Sequence, residues 1–334
     1  MGEFELIERI FRRRAAAAPR RAEVELGIGD DCALLTVPPN AQLAVSTDML
    51  VQGRHFFADV APDALGHKAL AVNLSDLAAM GAQPLAFTLA LALPPERARD
   101  ADASAGSHAA WLDAFADGLM ALAQAHQCAL IGGDTTAGPL TIGITVFGYL
   151  PRGQGLRRAG AHAGDELWVS GTLGDARLAL EALRGQLALP PALLAQARAR
   201  LERPMPRIAL GQALRGVASS GIDLSDGLVG DLGHVLRASH VGARVDADAV
   251  AGLLRTPASL TAQQRRVYTL SGGDDYELLF SAPPHRHADV LAAARAADTP
   301  VTRIGSLTAA PGLVLHDTAG RTLAGDYAGF DHFR

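Results

Sequence analysis

Gly27-Ile28-Gly29-Asp30-Asp31-Cys32-Ala33 sets two adjacent carboxylates on a glycine-permitted turn, just before the apolar run Ala33-Leu34-Leu35. Like charges at close range repel, so a fold that keeps them together carries a cost that a divalent cation would relieve. Oxygen ligands of this kind suit magnesium. Taken singly, Gly-Asp is ordinary turn chemistry. The pattern recurs, however, as Ser46-Thr47-Asp48, Asn73-Leu74-Ser75-Asp76, Gly132-Gly133-Asp134-Thr135, Asp223-Leu224-Ser225-Asp226-Gly227 and Gly272-Gly273-Asp274-Asp275. Aspartates beside small residues offer hard oxygen ligands and leave room for a polyphosphate. Glycine pairs let main-chain N–H groups approach phosphate oxygens. The rest of the chain reads as a scaffold for these stretches.

That scaffold alternates strands and helices. Leu6, Ile7, Ile10 and Phe11 predict a helix over 5–18, and Leu43 and Val45 a strand over 42–47 with Asp48 at its end. A helix is expected from Pro62 to Met80, closed by Gly81, with Asn73 and Asp76 on one face. Phe87, Leu89 and Leu91 alternate in a strand that stops at Pro94-Pro95. A helix over 107–126 precedes the short strand Ala129-Leu130-Ile131, which ends in Gly132-Gly133-Asp134; a strand over 140–150 follows. Pro151-Arg152-Gly153-Gln154-Gly155 is the expected domain boundary, giving domains 1–150 and 151–334. The second half repeats the mixture, with strands near 166–170, 244–246, 276–280 and 301–315. Helices are expected over 174–183, 206–215 and 285–297, and after Asp223 with Ser225 as N-cap. This order admits either α/β or α+β. Period-two alternation in the first half favours α+β: two domains, each a mixed or antiparallel sheet with helices packed on one face.

The bulk numbers exclude several classes. A chain of 334 residues with 49% hydrophobic and 19% charged residues can bury a full interior. Thirty basic against thirty-five acidic residues give a net charge of −5, without a basic tail and with 5% aromatics, which argues against nucleic-acid binding. Cys32 and Cys128 build neither a disulfide framework nor a zinc site. Arg12-Arg13-Arg14 is preceded by Glu3, Glu5 and Glu8 and followed by no apolar signal core, and no stretch is long and apolar enough to cross a bilayer. The expectation is a cytoplasmic protein. Lys68 is the sole lysine, so no Walker loop handles phosphate here. Gly27-x-Gly29 lacks the third glycine of a dinucleotide fingerprint, because Cys32 stands there. Asp223 occupies the place where a hydrolase elbow around Ser225 needs glycine. No covalent nucleophile is expected.

Taken in order, these stretches, with Gly53-Arg54-His55-Phe56, Arg158-Ala159-Gly160-Ala161 and Gly273-Asp274-Asp275-Tyr276-Glu277-Leu278, closely resemble the thiamine-monophosphate kinase family. That family shares a two-domain α+β architecture with aminoimidazole ribonucleotide synthetase, selenophosphate synthetase and a hydrogenase maturation protein. The resemblance runs from about residue 4 to the C-terminus. It implies transfer of the ATP γ-phosphoryl to thiamine monophosphate by a homodimer. It also implies Mg2+ ions on Asp30, Ser46, Thr47, Asp48, Asp76, Asp134, Asp223 and Asp226. Gly133, Asp134, Arg158 and Ser225 would contact ATP; His55, Asp274 and Phe330 would contact thiamine monophosphate, Phe330 by stacking. By the same resemblance, the first domain would carry most of the metal and ATP aspartates and the dimer interface, and the second would complete the site. The family commonly has glutamate where Asp274 stands.

Two other readings use the same residues: another ATP-dependent enzyme of this superfamily, and a metal-dependent phosphohydrolase. A selenophosphate synthetase would be expected to carry an N-terminal reactive cysteine or selenocysteine with a nearby lysine, and neither is present here. Bringing ATP to a second phosphate is a problem of charge repulsion and alignment, which suits aspartate-held magnesium in a chain with one lysine.

Overall fold

The computed structural model describes residues 3–19, 21–94, 108–323, 327 and 329. Contacts divide the chain into two compact units, Met1–Leu77 with Gln83–Arg152, and Ala78–Ala82 with Gly153–Arg334. The architecture is α+β, and each unit carries a mixed sheet with helices packed against it.

In the first unit, β1 (Val24–Leu26) and β2 (Leu34–Leu35) pair antiparallel. Strands β3 (Ala41–Val51), β4 (Gln83–Leu93), β5 (Ala129–Ala137) and β6 (Thr141–Pro151) form a sheet of order β3-β6-β4-β5. Only β4 and β5 among them run parallel. Register puts Phe87, Leu89 and Leu91 of β4 opposite Val146, Ile144 and Ile142 of β6, all buried. The period-two pattern thus gives one continuous apolar face. Ser46 pairs with Val146 in the same row, and its hydroxyl bonds Asp76 on the helix Pro62–Ala79, so this is the face the helix covers. On the opposite face, Ala86 and Phe147 lie against Val24, Ala33 and Leu35.

Two strands are longer than their apolar residues suggest. β3 runs on to Val51, so Asp48 sits within a strand rather than at its end. β5 runs on to Ala137, so Gly132, Gly133 and Asp134 belong to a strand rather than to a turn after it. The reason is pairing: Asp48 lies opposite Ile144 and Asp134 opposite Ala90, and a partnered ladder overrides the low strand propensity of Gly and Asp.

The helices Pro62–Ala79 and His108–Ala125 cross at glycines. A Cβ on Gly66 would lie 2.0 Å from the Phe115 carbonyl oxygen, and one on Gly118 would lie 1.9 Å from that of Asp63. This approach seats Leu70, Leu74, Leu77 and Phe115 with at most 1% exposure. Each contributes about 1.5–3 kcal/mol of apolar burial.

The second unit holds β7 (Glu166–Ser170), β8 (Ser220–Asp223), β9 (Gly242–Asp246), β10 (Leu278–Ala282), β11 (Val301–Thr308) and β12 (Gly312–His316), in order β12-β9-β11-β7-β10-β8. β12 and β9 are parallel and the remaining pairs antiparallel. Leu167, Val169, Ile222 and Leu279 share a core with Leu228, Leu232 and Val235 of the helix Leu228–Ser239. Trp168, of opposite parity on β7, stacks on Phe280 and meets His287 edge-on. β8 ends at Asp223 and β10 begins at Leu278, directly opposite it, which brings the two acid-bearing loops of this unit side by side.

Alanine at Gly66 or Gly118 is expected to lower stability by about 1–3 kcal/mol, despite alanine's advantage of about 1 kcal/mol inside a helix, because the overpacked crossing opposes it. Urea unfolding of each variant checks this; unchanged or raised stability would mean that the helices do not meet there.

Candidate functional site

In the first unit a cleft of about 1170 Å³ is lined by Asp30, Asp31, Gly133, Asp134, Thr88 and Arg12, among others. Glycine makes it possible. Gly29 has φ +133° and a Cβ there would lie 3.1 Å from Arg12 Nη2. Gly133 has φ +153°, and its Cβ would fall 1.9 Å from the Leu89 carbonyl oxygen, so β5 reaches β4 only without a side chain at that point. Asp31 N donates to Asp30 Oδ1 at 2.8 Å, which fixes that carboxylate over its own turn. Asp30, Gly133 and Asp134, expected from sequence to act together, therefore line one cleft.

Ser46, Asp48 and Asp76 are arranged differently, on the helix-covered side of the sheet. Ser46 Oγ donates to Asp76 Oδ2 at 2.5 Å. Asn73, one helical turn before Asp76, donates through Nδ2 to Ala69 O at 2.9 Å and accepts Asp48 N through Oδ1 at 3.0 Å. Spacing of three residues does put Asn73 and Asp76 on one helix face, and that face meets β3. Thr47 has the opposite parity and lies 2.9 Å from Thr145 through their hydroxyls. His55 accepts Val51 N through Nδ1 at 3.0 Å, which leaves Nε2 as its N–H donor.

In the second unit, Asp223 is buried at the end of β8. The loop after it runs beside the Gly272–Glu277 loop: Asp274 N donates to Ser225 O at 2.9 Å and Tyr276 N to Leu224 O at 2.8 Å. Ser225 is not the N-cap of the following helix; Gly227 holds that position, with no side-chain cap. Asp231 takes the task over, its Oδ2 accepting the amides of Asp226 and Gly227 at 3.1 Å each. The reason is geometric, since Ser225 lies two residues ahead of the cap, whereas Asp231, in the first turn, reaches back to both free amides. Burial, then the neighbouring Asp226 carboxylate, push the Asp231 pKa up to about 7; the two amides and Arg158 oppose that shift. Asp231 was not singled out from sequence. Its signal was an acid four residues after Gly227, at the start of an apolar-periodic helix. The Arg158 carbonyl accepts Ser239 Oγ at 2.8 Å, which ties that residue to the far end of the same helix. Asp274 has φ +66°. Phe330 lies outside the described residues.

Among the described residues, no three histidine, cysteine or acidic side chains converge as a ready-made metal cage.

Residues 29–150 match the N-terminal domain of AIR synthase related protein, and residues 162–318 match its C-terminal domain. The thiamine-monophosphate kinase of Salmonella typhimurium is 45% identical over 333 residues, covering 99% of this chain and 98% of its own. This chain belongs to the thiamine-monophosphate kinase family. The crystal structure of the thiamine-monophosphate kinase from Stenotrophomonas maltophilia K279a superposes with a TM-score of 0.82 at 44% identity, over 97% of this chain and 98% of that one. AaThiL complexed with AMPPCP and TMP superposes with a TM-score of 0.73 at 28% identity, over 99% and 97%. The kinase family was thus legible in the ordered motifs, and the two-domain α+β expectation agrees with the observed sheets.

Replacing Asp231 by Ala in this kinase leaves two inward-turned amides without their acceptor and is expected to cost about 1–3 kcal/mol. Asp231→Asn keeps an acceptor oxygen and should lose less than half as much. Chemical denaturation of both variants decides; equal losses would show that the two amides do not depend on that oxygen.

Proposed function

We propose that the protein transfers the γ-phosphoryl group of ATP directly to the phosphate of thiamine monophosphate, giving thiamine diphosphate and ADP. The observation that carries this reading is the cleft in which Asp30 and the Gly133-Asp134 edge come together, in a chain that spans nearly the full length of the kinases it matches. The ligands named for AaThiL, AMPPCP and TMP, correspond to an ATP analogue and the phosphate acceptor.

The acceptor phosphate is ionised at neutral pH and already nucleophilic, so alignment and charge neutralisation do the work and no covalent intermediate is needed. Ser225 is accordingly a contact to ATP, not a nucleophile. Gly133 would offer its amide to a phosphate oxygen without a side chain in the way. Asp134, Arg158 and Ser225 would complete the nucleotide contacts. His55, through its Nε2–H, Asp274 and Phe330 would hold thiamine monophosphate.

The oxygen donors fit magnesium. Asp30, Ser46, Thr47, Asp48, Asp76 and Asp134 in the first unit, and Asp223 and Asp226 in the second, are the proposed ligands. Ser46 and Asp76 are already in contact at 2.5 Å, which is the kind of paired donor a hard cation takes. Magnesium keeps waters and shares one or two carboxylates with substrate phosphates, so it does not require a compact cage of acids. When bound, magnesium supplies neutralisation and bridging of the phosphate oxygens.

An exposed apolar row in the first unit supports a homodimer. On β3, Leu43, Val45 and Met49 alternate outward with 48%, 54% and 59% exposure, an apolar row on an edge strand. Isolated edge strands of this composition invite pairing, and a second copy of the chain is the partner that would cover the row. A cytoplasmic location accords with the free thiols Cys32 and Cys128. No helix among the described residues is long and apolar enough to cross a membrane.

Incubation with ATP, Mg2+ and thiamine monophosphate is expected to yield ADP and thiamine diphosphate in equal amounts, with free thiamine inert and no protein-bound label from γ-labelled ATP. ADP release without an acceptor would favour the phosphohydrolase reading instead. Asp76→Asn and Asp223→Asn should each reduce kcat at least about 100-fold with the melting temperature little changed. Near-normal turnover in both would remove them from the metal site. Val45→Lys combined with Met49→Lys should halve the mass measured by light scattering; an unchanged mass would place the interface elsewhere.

A further inference from the structure

Among the described residues of the second unit, Glu277 is the most enclosed charged side chain, with no exposed surface. Its Oε1 accepts Arg200 Nη2 at 2.8 Å and Arg207 Nη2 at 2.5 Å. Its Oε2 accepts Arg207 Nε and Ser170 Oγ, each at 2.6 Å. Arg207 therefore grips the carboxylate with both prongs of its fork. Arg200 leaves its own Nε buried without a partner to reach the same group. Exchanging a buried ion pair for a well-packed apolar cluster is often neutral or stabilising, so stability alone does not call for this network. The network therefore invites a role beyond holding the domain together.

What Glu277 anchors is the loop before it. Leu224 N donates to Glu277 O at 2.8 Å, and the pairs Tyr276–Leu224 and Asp274–Ser225 follow in register. Two residues of this loop that are not glycine, Asp274 and Tyr276, hold left-handed backbones, with φ of +66° and +50°. Such conformations persist only where the surroundings over-determine them. Asp275, also buried, fastens the middle of the loop by accepting Gly174 N with both oxygens at 3.1 and 3.0 Å, and Arg200 Nη2 reaches its carbonyl at 3.5 Å. A Cβ on Gly273 would lie 2.4 Å from Ser225 O, so the two loops run backbone against backbone. Burial, above all, raises the Asp275 pKa well above the usual carboxylate range.

We infer that the Glu277–Arg207–Arg200 clamp is a positioning device for the kinase reaction, holding the Gly272–Tyr276 loop so that Asp274 is presented to the phosphate acceptor from a fixed place beside Ser225. The inference rests on the reading of Asp274 as an acceptor contact. In this inference the three clamp residues act through Asp274 rather than by a contact of their own with the acceptor.

The test compares wild type, Arg207→Lys, Asp274→Ala and the double variant, varying thiamine monophosphate at saturating Mg2+ and ATP. Lysine keeps the charge and loses the fork. Arg207→Lys is expected to raise the acceptor KM at least fivefold, and to raise it less than twofold further once Asp274 is Ala. A lowered melting temperature with unchanged KM, or fully multiplicative effects in the double variant, would overturn the inference. Should Arg207→Lys not fold, Arg200→Gln, from the partly exposed side of the clamp, is read the same way. Amide hydrogen exchange over 272–277 separates this inference from the functional reading. If wild type proves inactive on thiamine monophosphate, the functional reading falls, and exchange alone judges the clamp. Faster exchange of those amides in the clamp variant supports it, and unchanged exchange ends it.

Discussion

Several carboxylates of this protein are each held by its own N–H and O–H groups. Asp231 takes two amides, Asp30 the amide of the next residue, Asp275 that of Gly174, and Asp76 the Ser46 hydroxyl. A charge-assisted hydrogen bond of this kind offsets part of the repulsion between neighbouring acids. It also fixes where each oxygen points. A magnesium site built from such groups gives up less side-chain entropy on assembly than one built from mobile surface acids.

Two of these donors, Gly174 and Gly227, have φ of +85° and +111°, and the backbone near the other acids is unusual too. Gly29 and Gly133 adopt positive φ, and the space beside each is taken up by Arg12 or by the Leu89 carbonyl. The Gly272–Glu277 loop goes further and places aspartate and tyrosine in the left-handed region. Local strain is thus concentrated beside the proposed acceptor and nucleotide contacts. The resistance to that strain lies a few residues away, in fully buried groups such as Glu277 and in the β8–β10 pairing.

Much of this was legible in the sequence, and for reasons that can be named. The helix Pro62–Ala79 announced itself by proline at its start and glycine beyond its end, and the three-residue spacing of Asn73 and Asp76 put both toward β3. Strands flanking the acids were shorter in the sequence than in the fold, because Asp48 and Gly132–Asp134 have no strand propensity of their own and owe their conformation to partners far along the chain. Ser225 looked like a helix cap because serine favours that role. Asp231 instead reaches back from the first turn to the amides of Asp226 and Gly227, a weaker local pattern than a serine ahead of a helix. The Glu277 clamp joins residues about seventy positions apart and had no signature at all.

The resemblance implies a glutamate where Asp274 stands, and the backbone gives a reason for the shorter acid: φ is +66° there. Aspartate is among the few non-glycine residues that visit the left-handed region readily, because its carboxylate bonds locally to main chain. Glutamate gains about one carbon–carbon bond of reach but fits that conformation less well. With aspartate, the loop needs less from its surroundings to stay in place. What support the loop still needs comes from the Arg207 fork on Glu277, at the residue where the loop enters β10.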